Sequence, residues 1–462
     1  VDGGNSQARG SERLSSGVKL GYGIADFGMS LCFNLPAFFL LYYFTDVFFI
    51  PAAAAGLVLF FAKIWDALIS PVMGYISDHT RTRWGRKRPY LAFGAPLAAL
   101  SIFLVYASPN IAGEGWRIAY AMGSFTLFCT LMTIIIVPFG ALTADLTADS
   151  HERSVLSAFR VVFAISGTLV AAGATRPLVV LFGGAPGVLN EARGFRTVGL
   201  LYGLILVVMV LASFFSVRER NSSVDTERSS LRENLRVVLG NRPFLILTLG
   251  VMMHQIAINT MSGVVVYFFK YSLRAESMIP YAFMALMTTS ALSIPVFLKI
   301  SKTRGKKLAY NLGMGIMAVL CVPIFLYAER SIVFNIVMFA LVGLGLGTVY
   351  LSPWAMVPDT VEYSQWKTGL RREGILYGFF YFAFKLSVAV PGILVGTVLK
   401  LCGYVPNTAQ NQVVLLGIKS LLTIIPAVFV IAGIVLISLF PIDEAMHLKM
   451  RREIEESPTI SH

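Results

Sequence analysis

Apolar residues in this chain gather into about twelve windows, each close to 20 residues long, separated by short polar turns. A helix needs about 20 predominantly apolar residues to cross the roughly 30 Å hydrocarbon layer of a bilayer. The windows fall at 20–44, 51–76, 89–107, 117–143, 154–182, 197–217, 243–269, 278–300, 308–328, 331–357, 374–399 and 413–441. Backbone polar groups have no water to bond in lipid, so such segments must be helices or closed barrels, and their length selects helices. The expected fold class is therefore an all-α polytopic membrane protein of about twelve transmembrane helices. Only 14% of its 462 residues are charged, against about 25% in soluble chains.

The net charge of +13 does not point to nucleic acid, because the basic residues sit in turns between apolar windows and not on one soluble face. The even-numbered turns hold Arg81, Arg83, Arg86, Lys87 and Arg88, then much of 218–242, then Lys302, Arg304, Lys306 and Lys307, then Lys367, Arg371 and Arg372. The odd-numbered turns carry far fewer. By the positive-inside rule this places both termini in the cytoplasm of a multi-pass protein of the cell's inner (plasma) membrane. Cys32, Cys129, Cys321 and Cys402 are scattered and make neither metal-ligand spacing nor a disulfide framework, and no cofactor is expected.

The longest connection divides the chain into a cytoplasmic tail (1–19), a six-helix bundle (20–217), a central cytoplasmic loop (218–242) with room for a short amphipathic helix, a second six-helix bundle (243–441) and a cytoplasmic tail (442–462). The basic stretch after window 2, Arg83-Trp-Gly-Arg-Lys87, is echoed after window 8 by Lys302-Thr-Arg-Gly-Lys-Lys307. Parallel six-helix repeats that flank a midplane site are a transporter plan.

Charges inside the windows mark the candidate site, since a mid-membrane carboxylate costs about 2.5–3.5 kcal/mol on insertion scales and usually faces a cavity. Lys63, Asp66 and Ser70 share one helical face, as do Tyr377, Tyr381 and Lys385. Asp66 can bind a hard cation such as Na⁺ through oxygen or carry a proton. Its structural alternative is a fixed ion pair with Lys63 or Lys385. Asp26 and Ser30 lie in window 1, where Asp26 is either a cavity acid or an interfacial charge. Arg160 suits a substrate contact or a tether between helices. His254, with Gln255 and Asn259, gives window 7 a polar face, for proton relay or for interhelical hydrogen bonding. Asp46 reads as a helix-end contact, and Arg176 as a residue reaching an interface or an anionic head group.

Several stretches together resemble the major facilitator superfamily and, within it, the glycoside–pentoside–hexuronide:cation symporters. They are Tyr22-Gly-Ile-Ala-Asp26, Tyr42-Tyr-Phe-Thr-Asp46, Ile64-Trp-Asp-Ala67, Gly74-Tyr-Ile-Ser-Asp78, Arg83-Trp-Gly-Arg-Lys-Arg-Pro89, Pro138-Phe-Gly-Ala-Leu142, Glu152-Arg-Ser-Val-Leu-Ser-Ala-Phe-Arg160 and Asp359-Thr-Val-Glu-Tyr363. The resemblance implies two six-helix bundles working by alternating access, with Na⁺, H⁺ or Li⁺ as the driving ion. It carries a cation-ligand role to Asp66 and cavity roles to Arg160 and Lys385. Relative to the family's melibiose permease, a second carboxylate of window 2 is replaced by Ser70. Two sugar-binding carboxylates fall on Ser30 and Ile136, and a ring-stacking tryptophan falls on Gly140. The substrate expected from the resemblance is a small sugar or glycoside, and an amphipathic solute such as a lysolipid is admissible, because the family includes a lysolipid carrier.

The sequence reading is thus a monomeric H⁺- or Na⁺-coupled symporter in a lipid bilayer, with no nucleic-acid partner. Asp66, Lys63, Ser70 and Lys385 form its cation-coupling group. Asp26, Ser30, Ile136, Gly140, Arg160, Tyr381, Lys385 and His254 are its substrate candidates. Asp78, Arg86 and Arg88 are expected to latch the cytoplasmic side. A non-transporting membrane sensor on the same fold is the rival of another class.

Overall fold

The computed structural model describes residues 14–147, 150–184, 187–217, 219, 231–369 and 372–456. Among them, 12 helices are long and apolar enough to cross a membrane. The first six are α1 (Ser16–Tyr42), α2 (Ala52–His79), α3 (Arg88–Val105), α4 (Glu114–Leu146), α5 (Ser150–Gly183) and α6 (Val188–Ser216). A short helix, α7 (Leu231–Gly240), precedes the second set. That set comprises α8 (Arg242–Tyr267), α9 (Ile279–Arg304), α10 (Lys306–Tyr327), α11 (Ile332–Thr368) and α12 (Glu373–Leu401), then a last span made of α13 (Gln412–Leu422) and α14 (Ile424–Ser438). The last span breaks at Thr423. Pro426 has no N–H to offer the Leu422 carbonyl, which removes one helical hydrogen bond at this break.

Helix ends depart from the apolar windows where polar side chains find partners. The α6 helix starts at Val188 instead of 197, because Glu191 in its first turn bonds Arg176 and the Tyr42 hydroxyl. The α11 helix runs on to Thr368, past the expected 357, with Asp359 held by Lys306 at 2.7 Å and Glu362 by His447 at 2.9 Å. The expected terminal tails are largely helical where described, from Ser16 and over Glu444–Glu456. Ser15 caps α1 by accepting the Val18 N–H, and α15 (Glu444–Glu456) packs on α11, where the Trp366 indole donates to Glu453. Residues 1–13 and 457–462, and most of 218–230, lie outside the described residues.

In the first half α1 packs on α5 and α6, while α3 packs on α4 and α6; in the second, α11 packs on α9 and α10, and α8 on α14. The halves meet through α2 with α12, α5 with α9, and α1 with α8. The α2–α12 contact is closest where Gly56 meets Gly392 and Gly396. A Cβ on Gly56 would lie 2.4 Å from the Gly392 carbonyl oxygen, so only glycine admits this approach.

The internal repeat is clearest at matching helix ends. The α1 helix runs into a π-turn at Tyr43–Val47, and α8 into one at Phe268–Ser272. Each turn is closed by the same two backbone bonds: Phe48 to Tyr43 and Ile50 to Phe44 in one, Leu273 to Phe268 and Ala275 to Phe269 in the other. Each ends in a positive-φ residue, Phe49 or Arg274.

Candidate functional site

The mid-span charges of α2 and α12 meet across the boundary between the halves. Lys385 Nζ donates to Asp66 Oδ1 at 2.9 Å and to Ser70 Oγ at 2.6 Å, and lies 3.4 Å from Thr133 Oγ1 on α4. The Thr133 hydroxyl also donates to Asp66 Oδ1, and Ser70 Oγ donates to the Asp66 backbone carbonyl at 2.7 Å. The helical spacing of Asp66 and Ser70 is what presents both to one ammonium. The side chains of Asp66 and Lys385 are only 6% and 15% exposed. Burial strengthens both their attraction and the penalty for removing either one alone. Three oxygen-bearing side chains, with one negative charge among them, therefore converge on a single cation, here the lysine's own.

The pair forms part of the wall of a cavity of about 340 Å³ between the halves. Asn34 and Thr168 add polar groups from the first half, and Gln255, Asn259 and Ser262 from the second. The remaining wall is largely apolar and aromatic. On α11 and α12, Trp354, Tyr381 and Phe384 form a cluster with ring centroids 6.0–6.4 Å apart. Tyr381 lies one helical turn from Lys385, on the side of α12 nearer the basic turn that precedes it.

Of the expected site residues, Lys63, Asp66, Ile136, Tyr381 and Lys385 line this cavity. Lys63 does not pair with Asp66, whose Oδ1 is taken by Lys385 and Thr133; its ammonium instead sits 4.5 Å from the Phe33 ring centroid and 5.6 Å from that of Phe125. Asp26 and Arg160 form their own two-bond pair, with Nε to Oδ2 at 2.7 Å and Nη2 to Oδ1 at 3.3 Å. That pair is packed against Phe139, with Arg160 reaching Thr143, and it lies outside the cavity wall together with Ser30 and Gly140. It ties α1, α4 and α5 together.

His254 also lies outside the wall, in the interior of the second half. Its Nδ1 bonds the Tyr310 hydroxyl at 2.8 Å and its Nε2 the Val430 carbonyl at 3.2 Å. Successive helical residues point about 100° apart, so Gln255 faces the cavity while His254 is turned into the packing with α10 and α14. Its role here is to bond helices together.

The expected latch residues are knitted into the first half. Lys87, between Arg86 and Arg88, contacts Asp145 at 2.7 Å and Asp78 at 3.9 Å. Arg86 lies 3.8 Å from Asp145, and Arg88 donates to the Phe214 carbonyl. The Glu219 carboxylate accepts the backbone N–H groups of Arg86, Lys87 and Arg88 at 2.6–2.8 Å, which suits the positive end of α3. The second half repeats the device, with Lys306 on Asp359.

Besides the central pair, a second group of contacts among the described residues crosses between the halves at the opposite end. Asp46, in the α1 π-turn, accepts hydrogen bonds from Lys270 at 3.0 Å, from Tyr404 at 2.6 Å and from Tyr271. Lys270 also reaches the Tyr42 hydroxyl and Asn407. Arg176 bridges Glu191 of its own half to Glu276 of the other, which replaces the expected interfacial role. Lys270, Tyr404 and Asn407 were not anticipated from the sequence. The signal available for Lys270 was a lysine just past the end of window 7, matching Asp46 just past the end of window 1.

A family model described as MFS/sugar transport protein matches residues 21–444. The chain is 30% identical over 450-odd residues to the isoprimeverose transporter of Lactiplantibacillus pentosus, covering 96% of this chain and 91% of that one. It is 28% identical to the putative glycoside/cation symporter YagG of Escherichia coli (strain K12), covering 96% and 95%. Among solved structures, a bacterial homologue of the human lysosomal transporter Spinster shares the fold with a TM-score of 0.61 at 12% identity, over 96% of this chain and 98% of that one. Twelve spans in two packed halves, a cavity between them and a family match over nearly the whole chain lead to one assignment: this is a multi-pass membrane transporter of the major facilitator superfamily, a member of its glycoside–pentoside–hexuronide:cation symporter family.

Proposed function

We propose that this chain carries a small organic solute, a sugar or glycoside, together with H⁺ or Na⁺ bound at Asp66. The observation that carries the reading is the Asp66–Lys385 pair, formed between helices of opposite halves in the wall of the central cavity. Without the ion, Lys385 neutralises Asp66. When a cation takes over that carboxylate, with Ser70 and Thr133 as neutral oxygen donors, Lys385 is released toward the cavity. A site with a single carboxylate suits H⁺, and its hydroxyl oxygens also admit Na⁺. Solute then binds against the ring cluster, and the halves rock about the site. Its apolar wall favours a solute with an apolar face over a bare polyol, which keeps an amphipathic substrate within the same reading.

The basic even-numbered turns support an orientation with both termini in the cytoplasm. In that orientation the end joined across the halves, around Asp46 and Lys270, is external, which supports reading this conformation as inward-facing. Asp26 and Arg160, beside the inward path, act as a tether within the first half. Asp78, Arg86 and Arg88 brace the same half and are placed to meet the second when the cytoplasmic end closes.

The test is uptake into proteoliposomes under separate Na⁺ and H⁺ gradients with a panel of glycosides. Asp66→Asn is expected to abolish gradient-driven accumulation while leaving solute exchange. Uphill accumulation by that variant would overturn the coupling role.

A further inference from the structure

A second cavity, of about 420 Å³, lies at the end of the molecule that bears the basic turns, where α7, the start of α8, the end of α11 and the start of α12 come together. Asn241 builds this corner. Its side chain caps α8 by accepting the Phe244 N–H at 3.0 Å and donates to the Thr360 carbonyl of α11 at 2.8 Å. Three basic residues line the space, Arg236 on α7, Lys367 in the last turn of α11 and Arg372 at the cap of α12, and Tyr363, Ser364 and Thr368 supply hydroxyls. No carboxylate lines it among the described residues. The other basic turns are built differently, since Lys87 meets Asp145 and Lys306 meets Asp359, each at 2.7 Å. No ion pair within 4.0 Å involves Arg236 or Lys367 among the described residues, and Lys367 lies over the Trp366 ring at 4.4 Å. Basic groups near the ends of α7 and α11 also suit the helix dipoles, but each dipole end is worth only about half a charge. Two such ends offset about one of the three positive charges, and the rest face a concave space that concentrates anions.

We infer that this pocket binds an organic phosphate. Guanidinium and ammonium groups form their strong, charge-assisted hydrogen bonds with phosphate oxygens. A phosphate monoester brings a charge of about −1.5 to −2 and three acceptor oxygens, which match several cations and hydroxyls better than the single charge of a carboxylate does. The volume falls within the roughly 300–1,000 Å³ of small-molecule sites, so a body of several carbons fits beside the phosphate, next to the Tyr363 ring. The same chemistry comes from two sources, a soluble phosphate ester and the headgroup of an anionic phospholipid. In the orientation proposed above the pocket faces the cytoplasm. An occupant joins α7, on the connection between the halves, to the α11–α12 corner. It thereby braces α12, the helix that carries Lys385 to Asp66. The site takes no part in the ion and solute steps, and it stands on the fold whether or not symport does.

The test uses the purified full-length chain in two kinds of nanodisc. In phosphatidylcholine discs, titration calorimetry follows glycerol 3-phosphate and 4-nitrophenyl phosphate, with glycerol as the neutral control. In discs that also contain phosphatidylglycerol, native mass spectrometry counts the phosphatidylglycerol retained. Arg236→Gln and Lys367→Gln should each weaken binding about 10-fold, the lower range for a hydrogen bond to a charged group, and Lys367→Arg should keep most of it. Lys302→Gln, which removes an exposed base of α9 outside the pocket, should change nothing. Hydrogen exchange of the α7 amides should slow in the occupied protein. Loss of ester binding in the two pocket variants assigns the site to a soluble phosphate. Loss of retained phosphatidylglycerol in the same variants, with no ester bound, assigns it to a lipid headgroup. Failure of both arms overturns the inference. So does an equal loss in Lys302→Gln, which would mark diffuse surface charge, and so does binding that leaves α7 exchange unchanged.

Discussion

Replacing Lys385 by methionine keeps most of the side-chain volume and removes the charge. Asp66 is then a nearly buried carboxylate with only the Thr133 hydroxyl still donating to it. Two unit charges 2.9 Å apart attract by about 6 kcal/mol at an effective dielectric of ~20. Desolvation offsets much of that gross figure, and removing one partner of a buried pair typically costs about 3–5 kcal/mol. Removing both charges, in Asp66→Asn with Lys385→Met, should recover most of the loss, because an uncharged pair leaves nothing to solvate. The double variant is therefore expected to be about 3 kcal/mol more stable than Lys385→Met alone. Unfolding by SDS titration in micelles, followed by the fluorescence of the five tryptophans, measures each corner of the cycle. The lone carboxylate of Lys385→Met also calls for a substitute cation. Its stability should recover with Na⁺ at fixed pH if Na⁺ is the driving ion, and only on acidification if H⁺ is, whereas the double variant should respond to neither. Additive effects of the two substitutions, or a Lys385→Met protein as stable as the parent, would refute the reasoning.

Two further outcomes follow from the sealed end. Gly392→Val places a Cβ 2.8 Å from that of Leu59 and 3.0 Å from the Gly56 carbonyl oxygen, so α2 and α12 must separate there. Spin labels at the Tyr42 end of α1 and the Tyr267 end of α8 should report a larger mean distance, and an unchanged distribution would contradict the packing argument. Asp46→Ala strips the acceptor from Lys270, Tyr271 and Tyr404; leaving that lysine unpaired should destabilise the closed end by about 2–5 kcal/mol. Adding Lys270→Met should restore part of the closure in the same distance measurement, and failure to do so would mean that the pair is incidental.

The fold was legible because a bilayer imposes a length that few other structures share, and because the connecting turns differ so sharply in charge. The meeting of Asp66 with Lys385 was legible as one of two pairings, since opposite charges in hydrocarbon have few places to go. What the sequence could not resolve was direction. Lys63 and Lys385 were both candidates for Asp66 until the third dimension placed α12 opposite α2. His254 and Gln255 are chain neighbours with opposite surroundings, a distinction of one helical step. Thr133 gave no signal, because a threonine in an apolar helix ordinarily bonds its own backbone, as Thr130 does to Thr126. Arg176 looked interfacial, and Asp46 looked like a helix-end contact, because their partners, Glu276 and Lys270, lie in the other half. Such pairs exist only in the conformation that brings those ends together.

That dependence on conformation explains why the closed end is built from ions and phenols and not from apolar packing alone. A buried ion pair is close to neutral in stability against an apolar replacement, yet breaking it one-sidedly is expensive. A seal of this kind holds firmly when assembled but can be re-solvated whole when the halves part, since Asp46, Lys270, Tyr271 and Tyr404 all regain water together. An apolar seal of equal area would expose bare surface to water on every cycle, at roughly 25 cal/mol per Å². The glycines of α2 and α12 add the close approach that the charges do not require, and the central pair sits farther along the same two helices. On the symport reading, a cation at Asp66 therefore loosens the α2–α12 contact from within, while the seal above it stays reversible. The distance from Asp66 to the seal is bridged by one rigid helix, α2, which carries both Gly56 and Asp66.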